Sequence, residues 1–116
     1  MDLNDLTRRQ QKALVALMEA LAFSDGRVDE GERREINKVA NTLGDERYRE
    51  LLEDANEEIQ DEEALKRTLR SIEDPAAREV IYGTALEESM LSPSVTHHQT
   101  ALLDWVGETW NMETSG

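Results

Sequence analysis

Ala20-Leu21-Ala22-Phe23-Ser24-Asp25-Gly26-Arg27-Val28-Asp29-Glu30-Gly31-Glu32 reads as helix, tight turn, helix. Ahead of it, Leu14, Leu17, Met18 and Leu21 recur at the i, i+3, i+4, i+7 spacing of a buried helical face, and Ile36, Val39, Ala40 and Leu43 form a second stripe behind it. The turn therefore joins two core-facing helices. Asp25-Gly26 supplies a residue at ease with positive φ, and Asp29 with Glu32 three residues on makes an acidic capping box for the second helix.

The same residues carry a second pattern. Asp25-Gly26-x-Val28-Asp29-x-x-Glu32 matches the second half of an EF-hand calcium loop, with its acid, Gly, β-branched residue, oxygen ligand and closing Glu in order. On that register the first and third ligand positions fall on Leu21 and Phe23, which offer no side-chain oxygen. A self-sufficient EF-hand is excluded. Half a site remains, needing water, backbone carbonyls or another segment to complete it.

A helix ending in small residues, an Asp-Gly turn, an aliphatic residue and a Glu opening the next helix resembles the signature of the TerB-like domains. These are named for a tellurite-resistance protein and also found ahead of the J-domain of a membrane co-chaperone. Here the residues are Ala22, Asp25, Gly26, Val28, Glu32 and the helix-ending Leu43-Gly44, with the likeness running over roughly residues 7 to 110. The resemblance implies a single helical domain over 1–116, built as two similar halves, approximately 7–44 and 70–107. It also implies a non-enzymatic role connected with tellurite or other chemical and metal stress, with Asp25 and Glu32, helped by Asp29 and Glu88, as oxygen ligands to a divalent cation such as Ca²⁺ or Zn²⁺.

A faint self-copy at an offset of 63 agrees with two halves. It pairs Ala22 with Ala85, Val39 with Leu102, Leu43 with Val106 and Gly44 with Gly107. The polar positions diverge, Asp25 meeting Glu88, Gly26 Ser89 and Glu32 Val95, so the second copy keeps fold signals and loses most ligands.

Helix signals continue along the chain. The first helix runs from Thr7, capped with Gln10, to about Phe23, and the second from Glu30 to Leu43, closed by Gly44. The third spans roughly Glu46 to Glu57 with Tyr48, Leu51, Leu52 and Ala55 inward. A shorter fourth follows Asp61 with Leu65, Leu69 and Ile72 inward. Asp74-Pro75 opens a fifth through Ala77, Val80, Ile81 and Ala85. Ser92-Pro93 opens a sixth, with Val95, Leu102, Val106 and Trp110 inward and Trp105 near the edge. No segment alternates with period 2 for long, so the fold class is all-α, a compact bundle of about six to seven helices.

Composition narrows the function. The 116 residues and 38% hydrophobic content suffice for one core, and the absence of Cys excludes disulfides, thiolate zinc and a Cys nucleophile. Met1 to Arg9 is polar with no apolar h-region, and no run approaches a membrane span, so a cytoplasmic protein without membrane insertion is expected. The net charge is −13, and residues 45–63 alone hold ten acids against Arg47 and Arg49. With basic residues scattered, nucleic-acid binding is not expected; cations or a basic protein surface are the partners such a field attracts. His97 and His98 are adjacent, about 100° apart on a helix, and cannot both face one metal without distortion, so they are read as solvent-facing. There is no Gly-x-Ser-x-Gly elbow, phosphate-cradling Gly loop or metalloprotease helix, so the chain is read as a non-enzyme. Two functions result: a divalent-cation module at Asp25, Asp29, Glu32 and Glu88, or an adaptor whose acidic third helix docks a basic protein, the chain being a monomer or weak dimer.

Overall fold

The computed structural model describes residues 3–22, 30–91 and 97–111. Among them a short 3-10 turn, Leu3–Asp5, precedes six α-helices: α1 Arg8–Ala22, α2 Glu30–Leu43, α3 Asp45–Glu58, α4 Glu62–Arg70, α5 Pro75–Leu91 and α6 His97–Thr109. The described residues contain no strand. The radius of gyration, 12.9 Å, is that of a closely packed chain of this length, for which about 13 Å is expected.

Local chemistry sets the helix starts. Thr7 and Gln10 form a reciprocal capping box: the Gln10 amide donates to Thr7 Oγ1 at 3.2 Å, and the Thr7 amide to Gln10 Oε1 at 2.9 Å. Asp61 caps α4 by accepting from the Ala64 amide at 2.8 Å. Asp74 accepts from the Ala76 amide at 3.0 Å, with Pro75 at the first position of α5, where its missing N–H costs nothing. Gly44 alone separates α2 from α3, at φ 98° and ψ 136°, a conformation that residues with a Cβ rarely adopt. The Asp25-Gly26 turn, the Asp29 cap and the Ser92-Pro93 start all lie outside the described residues.

The bundle is centred on α1, which packs against α2, α3, α4 and α5. Leu14, Leu17, Met18 and Leu21 are buried as the periodicity predicts, but so are Ala13 and Val15 on either side of that stripe. A helix surrounded by four others buries more than one face. α2 differs in the other direction: Val39 is fully buried, whereas Ile36, Ala40 and Leu43 are only half-buried. It sits at the rim, against α3, α5 and the N-terminal turn.

The stripes of α3 and α4 close over α1. Tyr48, Leu51 and Ala55, then Leu65, Leu69 and Ile72, are buried as expected, and Leu52 is left half-buried. Ala77, Ile81, Tyr82 and Ala85 of α5 and Leu102, Leu103 and Val106 of α6 complete the core. Past the end of α6, Trp110 is buried and its indole N–H donates to the Leu69 carbonyl at 3.0 Å. The same carbonyl accepts from the Ile72 amide at 3.1 Å, so Trp110 adds a second donor at the C-terminal end of α4. No helix among the described residues is long and apolar enough to cross a membrane.

Candidate functional site

The four residues of the expected cation site divide as follows. Asp25 and Asp29 lie outside the described residues; Glu32 falls in the first turn of α2 and Glu88 near the end of α5, two helices that pack against each other. Elsewhere among the described residues, no three His, Asp or Glu side chains gather as a metal site would require.

The acidic run of residues 45–63 has a definite shape. It comprises the whole of α3, its link to α4 and the first turn of α4. Glu46, Glu50, Glu53 and Glu57, spaced i, i+4, i+7, i+11, form one exposed row along α3. Two basic residues of α1 reach this helix: Arg8 pairs with Asp54 at 2.7 Å and lies 3.9 Å from Glu50, and Lys12 pairs with Glu58. These pairs are exposed and worth little individually. They leave Glu46, Glu53 and Glu57 without an ion pair among the described residues.

Where the run turns from α3 into α4, it borders a groove of about 290 Å³. Ala16 and Ala20 of α1, Leu52 and Ala55 of α3, Ile59 of the link and Leu65 of α4 give it apolar walls. Glu19, Asp61 and Glu62 add carboxylates, and Asn56 and Gln60 add amides. The small side chains of Ala16, Ala20 and Ala55 are what leave the space open between three helices. Glu19 is half-buried and accepts a hydrogen bond from the Tyr48 hydroxyl at 2.9 Å. Burial pushes the Glu19 carboxyl above its ordinary pKa, and the Tyr48 hydrogen bond draws it partly back.

This arrangement has a definite chemical preference. The groove offers apolar contact to a chain of methylene groups and a partly desolvated carboxylate to the cation at its end, the two halves of a Lys or Arg side chain. Its size is at the lower limit of small-molecule sites, which run to about 300–1,000 Å³. Among the described residues that line it, the ionisable groups are the three carboxylates of Glu19, Asp61 and Glu62.

Sequence reasoning found the acidic run and the buried stripe of α3 but missed Glu19. On α1 alone Glu19 reads as an ordinary polar position, and its significance comes from Tyr48, 29 residues away. Compared with protein-family models, curated proteins and solved structures, the chain matches none.

Proposed function

We propose that this chain is a non-enzymatic docking module whose groove between α1, α3 and α4 receives a basic side chain of a protein partner. The observation that carries this reading is the combination, in one groove, of apolar walls and the half-buried Glu19 carboxylate. The exposed row on α3 supports it. Glu46, Glu53 and Glu57 provide a local field that attracts a basic partner and speeds encounter, while the groove supplies the short-range contacts that hold it.

The test uses a fluorescein-labelled, amidated amphipathic helical peptide built from Leu and Lys, with the Glu-for-Lys version as its control. The Lys peptide is expected to bind and the Glu peptide is not. Glu19→Gln removes the groove's half-buried charge while keeping an acceptor for Tyr48, and Ala20→Met fills the space. Each is expected to weaken binding by about tenfold, the loss of one interaction worth about 1.4 kcal/mol. Glu53→Gln with Glu57→Gln is expected to slow association and flatten its salt dependence, with little change in the dissociation rate. If Glu19→Gln and Ala20→Met both bind as the parent does, the groove is not the docking site.

A further inference from the structure

Among the described residues Arg8, Lys12 and Lys38 form ion pairs and the other basic side chains do not. Lys66, Arg67 and Arg70 of α4 are set apart by lying together within five positions of one helix. None of the three has an ion pair among the described residues, although Glu63 precedes Arg67 by four positions, the spacing at which helical pairs form. Instead, Lys66 Nζ lies 5.1 Å and Arg70 Cζ 5.2 Å from the ring centroid of Trp105 on α6. Arg67 and Arg70 are exposed, and Trp105 is half-exposed. A shallow hollow of about 190 Å³ lies among Glu63, Lys66, Arg67 and Arg70.

Cations in the last turn complement the helix dipole, which accounts for Arg67 and Arg70. It does not account for Lys66, or for a tryptophan brought from another helix to the same spot. Arg and Trp together are the residue types that dominate binding energy at protein interfaces.

We infer that the patch formed by Lys66, Arg67, Arg70 and Trp105 is a second docking surface, of opposite sign to the groove, and that it takes a short acidic peptide segment. Charge complementarity selects the occupant. Guanidinium groups pair with carboxylates through two parallel hydrogen bonds, and an apolar residue of the segment covers the open edge of Trp105. The patch is short: a nine-residue helix is about 13 Å long and matches about four residues of extended peptide. A nucleic-acid strand would run past it onto a surface of net charge −13, losing by repulsion what it gained. A module with both surfaces can bridge a basic and an acidic partner.

The two tryptophans make the test direct. Trp110 is buried, so Trp105 is the solvent-sensitive reporter, and Trp105→Phe assigns the signal. The full chain is titrated with the probe Ac-Glu-Glu-Leu-Glu-Glu-NH₂ while tryptophan emission is followed. A saturable change is expected, weakened at least tenfold by Arg67→Glu, an exposed position whose replacement leaves the helical circular dichroism spectrum intact. The inference is overturned if emission shows no saturable change, if Arg67→Glu binds the probe as the parent does, or if Ac-Lys-Lys-Leu-Lys-Lys-NH₂ gives the same response. Binding of a twelve-nucleotide oligothymidine as tightly as the peptide would also overturn it. The basic and acidic probes report on different surfaces, so either proposal can fail alone.

Discussion

The Tyr48 hydroxyl donates to Glu19 Oε1 at 2.9 Å, tying the start of α3 to the far half of α1 beside the groove. This contact has a pH signature. Burial raises the Glu19 carboxyl above its ordinary value, with Tyr48 opposing. A carboxyl raised on folding holds its proton more tightly in the native state. Its stabilising contribution is therefore present below the ordinary carboxylate pKa and is lost as pH rises through the raised value. Glu19→Gln, which cannot ionise, should accordingly gain on the parent between about pH 4 and pH 7. Melting temperatures of the two proteins across that window check the sign; a variant that loses ground as pH rises would refute it.

Tyr48→Phe removes the hydroxyl and keeps the ring in its buried site. It should destabilise by about 1 kcal/mol at neutral pH, the net worth of one such hydrogen bond. It should also move the Glu19 carboxyl further up, because the group that opposes burial is gone. Urea unfolding measures the first effect, and NMR titration of the Glu19 carboxyl carbon measures the second. An unshifted titration would show that Tyr48 does not contact the charged form.

The same substitution at two glycines should have opposite signs. Gly44 sits at φ 98° with nothing within 4 Å of where a Cβ would stand, so Gly44→Ala meets no clash, only an unfavourable backbone. It should cost about 1–3 kcal/mol. Gly83 lies exposed in α5, also with nothing within 4 Å of an added methyl. There Gly83→Ala should stabilise by about 0.5–1 kcal/mol, through better helix propensity and a less free unfolded chain. Denaturant midpoints decide both. A stabilised Gly44→Ala would mean that the link between α2 and α3 takes another conformation in solution.

What could be read in the sequence divides by range. The Thr7 and Gln10 box, the Asp61 cap and the Asp74-Pro75 start use partners within three residues, so the local pattern contained them. The buried stripes of α3 and α4 followed from period alone. What the pattern did not contain are contacts between helices. Ala13 and Val15 are buried because four helices surround α1, and Ile36 is half-exposed because α2 lies at the rim. Glu19 and Trp105 looked ordinary because Tyr48 and Lys66 reach them from other helices. Lys66, Arg67 and Arg70 stand within five positions of α4, so that basic cluster was legible in the sequence; what the sequence did not contain is that α6 brings Trp105 to it.

A docking module and the cation module that the TerB-like resemblance implies differ in how the fold should respond to divalent ions. A cation held by Asp25 and Glu32 in the native state only would, at about 100 times its Kd, stabilise the fold by about 2.7 kcal/mol. For a domain of this size that is a rise of roughly 10 °C in Tm. Screening competes with this effect. The net charge of −13 includes Glu46, Glu53 and Glu57 without ion pairs among the described residues, so any cation relieves self-repulsion and stabilises the fold. Size alone therefore decides nothing, and the comparison must be with NaCl at matched ionic strength and with Asp25→Asn combined with Glu32→Gln. The docking module needs no bound metal, so Ca²⁺, Mg²⁺, Mn²⁺ and Zn²⁺ should each raise Tm by about as much as NaCl does. The doubly substituted protein, less charged by two, should respond slightly less to all of them alike. A rise specific to one divalent ion and abolished by the two substitutions would instead make Asp25 and Glu32 ligands, and would return the half EF-hand pattern to the centre of this protein's function.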